Sequence, residues 1–169
     1  ATKEAVPTLA ALLGDEKLAH MARNALEPIP DPSADAALRE ALGKVQGRLL
    51  MGVIGSLGVR RDNQAVEAIA RLLADPDAGI ARSAARALGQ IGSPEAAKAL
   101  GGALAGAPAA NQVDFCEGLF RCAESLSAQG QDAAAQAIYD RLRGLPQAAQ
   151  QIRAGALRGA ILARQKEGI

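Results

Sequence analysis

The sequence predicts an all-α protein built as an α-solenoid, a superhelical stack of about ten helices arranged as antiparallel pairs. Apolar residues make up 49% of the 169-residue chain but aromatic residues only 2%, so alanine and leucine must do most of the packing. Such small side chains suit helices that approach closely. A sequence pattern also recurs about every 31 residues. Short segments rich in Pro, Gly and Asp separate the helical patterns, which makes consecutive helices antiparallel neighbours.

The repeat is clearest in the second helix of each pair. The segment that begins at Ser93 aligns with segments that begin at Asp62 and Asp31, at two successive shifts of equal length. Ser and Asp are favoured N-cap residues because their side-chain oxygens accept hydrogen bonds from the first-turn amides. A longer shift, which aligns Leu126 with Leu88, adds a fourth copy with a longer first helix, and a fifth first helix follows. The predicted helices are 3–13, 15–27, 32–43, 46–60, 63–74, 76–90, 94–105, 110–128, 131–143 and 148–166.

Leucines that coincide in the aligned copies predict the core of the stack. Each helix has too wide an apolar stripe to bury against its one partner, so the neighbouring pair must cover the rest. The central core layers are expected at Leu57, Leu72, Leu73, Leu88 and Leu100.

Residues 72–96 resemble the HEAT-repeat pattern, and more narrowly the bacterial HEAT-like repeats first recognised in phycobilin lyases. The resemblance is carried by Asp75-Pro76-Asp77 at a helix start, Arg82, the Ala84-Ala85 pair, and Leu88-Gly89 with Ile91-Gly92. It implies two layers of helices, with the second helices lining a concave side where partners dock. It also implies structural roles for Asp75, Asp77 and Arg82, with Arg82 bonded to an Asp near the turns so that successive repeats are tied together. The lyase activity of some relatives does not carry over, because the matched residues are packing residues.

Catalytic chemistry finds no support in the sequence. His20 is the only histidine and falls on the polar side of its helix, so we expect it to be solvated or capping. Cys116 and Cys122 lie six residues apart in one helix, about 9 Å along its axis, which is too far for a disulfide. No zinc ligand set, nucleophile elbow or phosphate-binding loop is present. We therefore expect a non-enzyme without a metal or cofactor.

The charge pattern argues against nucleic acid and membrane partners. The chain has 19 basic and 18 acidic residues, and its longest apolar run of eleven residues falls well short of the roughly 20 needed to span a bilayer. The aligned solvent-facing residues of the second helices include both acidic and basic side chains. No continuous basic stripe is therefore predicted along the concave side of the stack.

The preferred hypothesis is a non-catalytic scaffold that binds a protein or peptide on the concave face formed by the second helices. The expected contact residues are Gln64, Glu67, Arg71, Glu95, Lys98, Gln136 and Asp140. One alternative is an accessory repeat segment of a larger lyase or redox enzyme, and a weaker one is a nucleic-acid-binding HEAT-like protein. We expect residues 1–169 to be one repeat domain, a fragment of a longer array or multidomain protein. Its incomplete ends would allow end-to-end self-association. The compartment stays undetermined.

Overall fold

The computed structural model describes residues 2–145 and 150–167, and these residues form ten α-helices with no strands. This confirms the predicted all-α architecture. The helices are α1 (Val6–Ala11), α2 (Ala19–Leu26), α3 (Pro32–Leu42), α4 (Gly47–Val59), α5 (Val66–Arg71), α6 (Ala78–Ile91), α7 (Pro94–Leu104), α8 (Gln112–Ala128), α9 (Asp132–Arg143) and α10 (Gln150–Glu167).

The predicted N-caps recur at the start of successive second helices. The Asp31 carboxylate accepts from the Ser33 amide at 2.9 Å, and Asp62 accepts from the amide two residues on at 3.1 Å. Ser93 accepts from the Ala96 amide at 3.2 Å. Each cap satisfies a backbone donor that the first turn leaves without a helical partner.

Several helices are shorter than predicted because their ends are 3-10 turns. The predicted helix 63–74 is divided into a turn at Asn63–Ala65, α5, and a second turn at Leu72–Ala74. Such tighter turns are common at helix termini. The helix predicted to start at 76 begins at Ala78, because Asp77 is its N-cap and accepts from the amides of the second and third helical residues. Asp75 in turn accepts from the Asp77 amide at 2.8 Å, so both aspartates shape this turn.

The helices form two layers. The first helices α2, α4, α6 and α8 pack on one another in chain order, while α1 packs on α3 and α5 on α7 in the second layer. Helices adjacent in sequence join the two layers. The last helix departs from this arrangement, because α10 packs chiefly against α9 and only marginally against α8.

The leucine layers lie where the sequence predicts them. Leu57, Leu88 and Leu100 are completely buried and Leu73 is 5% exposed. Leu72 is only half-buried, because it and Leu73 are adjacent in a 3-10 turn and their side chains point to different sides of it. The first helices approach so closely that a Cβ added to Gly89 of α6 would lie 2.7 Å from the Gly118 Cα of α8. Glycine is therefore required by this helix crossing.

The arginine that ties two successive helix pairs together is Arg60. The prediction that Arg82 bonds to an Asp and plays this role is wrong. The Arg82 side chain is exposed, and its Nε donates to Ala78 O of its own helix at 3.2 Å; no carboxylate among the described residues pairs with it. Arg82 lies in the second turn of α6, and its side chain returns to the backbone of its own helix rather than to a neighbouring repeat. Arg60, at the end of α4, instead donates to the carbonyl oxygens of Glu27 at 2.8 Å and Ile29 at 2.7 Å.

The same arginine also pairs with a carboxylate of the preceding second helix. Its Nη2 donates to Asp35 Oδ2 of α3 at 2.9 Å, and this hydrogen bond raises the pKa of the Arg60 guanidinium. A second ion pair joins Arg39 of α3 to Asp62, which also caps the next second helix. Two arginines, Arg60 and Arg39, therefore close the boundary between the α2–α3 pair and the α4–α5 pair.

Candidate protein-binding surface

The exposed side chains of α5 and α7 form a mixed-charge surface. Gln64, Glu67 and Arg71 are exposed along α5 and the turn before it, and Glu95 and Lys98 are exposed on α7. Glu67 and Arg71 pair with each other at i and i+4, with side chains 82% and 74% exposed. This surface therefore presents both signs of charge to solvent.

Hydrogen bonds orient Glu95 at the start of α7. The Glu95 carboxylate accepts hydrogen bonds from its own backbone N–H, the Ser93 hydroxyl and the Asn63 amide, and these hydrogen bonds lower its pKa. The last of these contacts comes from the preceding repeat, so the Glu95 carboxylate connects the edges of two neighbouring second helices.

The structure places Gln136 and Asp140 differently from the expectation that they face solvent. Both are half-buried on the side of α9 that faces α10. Arg164 of α10 lies 4.0 Å from Asp140 Oδ2, and its Nη2 donates to the Gln136 amide oxygen at 2.9 Å when that amide is oriented to accept. They are covered because α10 packs on α9 rather than on α8. Within this chain the last helix therefore occupies part of the predicted surface.

A groove of about 300 Å³ opens between α7 and α9. Its floor is largely apolar and includes Ala97, Leu119 and Ile138, while Lys98 and Arg141 lie along its edge. Arg141 reaches across the groove and donates to the Gly101 carbonyl oxygen of α7. A Cβ added to Gly101 would lie 2.9 Å from Arg141 Nη1, so glycine makes room for this bridge.

Arg141 and the groove were not predicted from the sequence. The signal available in the sequence was the longer spacing from Leu88 to Leu126, between the third and fourth copies. This longer spacing lengthens α8, which spans Gln112–Ala128. A longer first helix changes the spacing of the second helices that flank it. A prediction that takes exposed residues from the aligned copies alone assumes equal spacing of the second helices, so it misses this groove.

The titratable groups show no assembled catalytic site among the residues described. The His20 ring nitrogens lie 3.3 Å from Arg23 Nη2 and from Asn24 Nδ2, on an exposed helix surface. Cys116 and Cys122 are buried and unbridged, and burial raises both thiol pKa values, that of Cys122 to about 12. A thiol with a raised pKa is a poor nucleophile at neutral pH.

Metal ligands and membrane-spanning helices are also missing from the described part of the chain. No group of three His, Cys, Asp or Glu side chains there could hold a metal ion. None of its helices combines the length and apolar character needed to cross a membrane.

Comparison with known proteins identifies the repeat. Residues 49–111, which run from α4 to the turn before α8, match the family model of HEAT repeats. No curated protein sequence matches the chain. HEAT repeats are commonly scaffolds for protein interactions, and the family is typically non-catalytic.

Proposed function

We propose that this chain, whose residues 49–111 are HEAT repeats, is a non-catalytic scaffold that binds a protein or peptide along the surface of its second helices. The contacts are Gln64, Glu67 and Arg71 of the α5 segment, with Glu95 and Lys98 of α7. Gln136 and Asp140 contribute from the edge of α9, where α10 covers them in part.

The apolar groove between α7 and α9 is the observation that carries this proposal. Protein interfaces combine a desolvated apolar centre with a polar rim. The groove supplies the first through Ala97, Ile138 and their neighbours, and the second through Lys98 and Arg141. A partner side chain in the groove would bury apolar surface while the neighbouring charges of α5 and α7 fix its orientation.

The affinity of this surface depends on a regular backbone. The α5 segment and α7 have capped N-termini, and their buried Ile69 and Leu100 anchor them in the core, so their exposed side chains stand on a fixed backbone. A preorganised surface loses less conformational entropy on binding than a flexible loop does.

Charge reversal tests the proposal with a partner isolated by affinity capture and then purified. Glu67→Lys with Lys98→Glu changes the rim while preserving the net charge of the chain. We expect roughly tenfold weaker binding by isothermal titration calorimetry, since several rim contacts of a few tenths of a kcal/mol each are lost or reversed.

The matched control exchanges two exposed charges in the turn before α2, Glu16→Lys with Lys17→Glu, and likewise preserves the net charge of the chain. This control variant should bind the purified partner with parental affinity. Equal affinity of the Glu67/Lys98 variant and the parent would remove the second-helix surface from the interface.

A further inference from the structure

The outer side of α4 and α6 carries an unbalanced positive charge. These two helices contain no Asp or Glu. Arg48, Arg82 and Arg86 are exposed on them, and Arg61 is exposed directly after α4. We call these four residues the arginine face. It lies on the layer of first helices, away from the second-helix surface described above.

Three of these arginines have no ion-pair partner among the described residues. Arg86 makes one long contact, 3.8 Å to Asp114 Oδ1 of α8. Other arginines do form closer ion pairs, as Arg39 does with Asp62 and Arg71 with Glu67. The arginine face therefore presents three guanidinium groups, those of Arg48, Arg61 and Arg82, that pair with no carboxylate of the described residues.

Arg61 occupies a position that the two following repeats give to glycine. In the aligned copies it coincides with Gly92 and Gly130, and all three have positive φ, 52° for the arginine and 67° and 77° for the glycines. This left-handed conformation is unfavourable for a residue with a Cβ. Arg61 lines a cavity of about 560 Å³ between α4, α6 and α8, together with Arg121 and Glu124 of α8.

An apolar side chain lies among the positive charges. Val59 of α4 is 55% exposed. Gly55, between Arg48 and Val59 on the same side of α4, has no neighbouring atom where a Cβ would stand. The centre of this surface is thus a shallow floor that allows close approach, with cationic groups at its margins.

We propose that the arginine face docks an acidic helical segment of a partner protein. Thirteen residues separate Arg48 from Arg61, which corresponds to about 20 Å along α4 and to a partner helix of similar length. Arg82 and Arg86 lie one helical turn apart, and carboxylates at i and i+4 of a partner helix have the same spacing. An apolar residue of the partner helix rests on Val59.

The neighbouring helix favours a protein partner over a nucleic acid. On α8 the exposed side chains of Glu117 and Glu124 interrupt the positive charge. A continuous phosphate backbone would meet these carboxylates, whereas a short acidic segment ends before them. The exposed Val59 also suits an apolar side chain of a protein better than a sugar–phosphate backbone.

The test uses a fluorescein-labelled peptide of Glu, Ala and Leu, with Glu at i and i+4 positions, and measures fluorescence anisotropy against the full chain. We expect saturable binding that weakens as salt is raised. Arg48→Glu with Arg82→Glu should weaken it about tenfold or more, and Arg48→Gln with Arg82→Gln by less. Circular dichroism verifies that each variant is folded.

Two controls separate this surface from the second-helix surface. Arg71→Glu with Lys98→Glu should leave peptide binding unchanged, and a peptide with Lys in place of Glu should not bind. Equal binding by the arginine-face variants and the parent would overturn the proposal. So would tighter binding of a single-stranded oligonucleotide of equal charge than of the acidic peptide.

Discussion

Replacing Arg60 with Ala should destabilise the chain more than any exposed charge substitution. The Arg60 side chain is only 9% exposed and joins α4 to the turn before α3. Besides its ion pair with Asp35, its Nη1 donates to three carbonyl oxygens, those of Leu26, Glu27 and Ile29, at 3.1, 2.8 and 2.7 Å. Truncation leaves these acceptors and the carboxylate without their donor.

The magnitude follows from those contacts. Breaking a buried ion pair by removing one partner costs about 3–5 kcal/mol. Asp35 is 23% exposed and regains some hydration, so the lower end of that range applies, about 3 kcal/mol. Arg60→Lys keeps the charge but not the planar fork of donors, and should lose roughly half as much.

Urea unfolding followed by far-UV circular dichroism measures the effect. The control is Arg71→Ala, whose exposed pair with Glu67 should contribute less than about 0.5 kcal/mol. The m-value should stay constant, so that the shift in midpoint reports stability. If Arg60→Ala and the control differed by less than about 1 kcal/mol, Arg60 would not be the residue that closes this repeat boundary.

Three further outcomes are expected. Leu88→Ala should cost about 2–5 kcal/mol in urea unfolding, because the side chain is completely buried between neighbouring helix pairs, and a parental midpoint would contradict its place in the core. Gly89→Ala should destabilise the fold, because the added Cβ meets the backbone of α8. Gly102→Ala on α7 has open space and should stabilise the fold by roughly 0.5–1 kcal/mol through helix propensity. The same sign of effect for both substitutions would refute the close crossing of α6 and α8. The thiols of Cys116 and Cys122 should resist alkylation in the native state, since burial raises their pKa. Their folded pKa values exceed the unfolded ones, so their contribution to stability is complete below about pH 8.5 and declines as pH rises further. Rapid native-state labelling would contradict the burial.

The parts of the fold that sequence could predict are local or periodic. Asp31, Asp62 and Ser93 cap second helices because the cap depends on a few neighbouring residues. The leucine layers depend on a spacing that recurs in each copy. The division of the α5 segment into a short helix between two 3-10 turns was not visible, because helix and 3-10 turn share nearly the same residue preferences.

The contacts that sequence reasoning missed join distant residues. Arg60 reaches partners 25 to 34 positions away, and nothing in its own helix identifies them. The covering of Gln136 and Asp140 depends on where α10 packs, and the sequence of α9 does not show this. Residues at aligned positions are equally exposed only where the copies of the repeat have the same geometry.

Serial stacking of equivalent helix pairs is tested most directly by deleting residues 62–92, one full period of the repeat, so that Arg61 is followed by Ser93. The shortened chain keeps an N-cap at the junction, because Ser93 is equivalent to Asp62. Stacking predicts a helical protein that still unfolds cooperatively, with a lower free energy of unfolding because one pair is missing. Loss of helical circular dichroism or of a cooperative transition would contradict it.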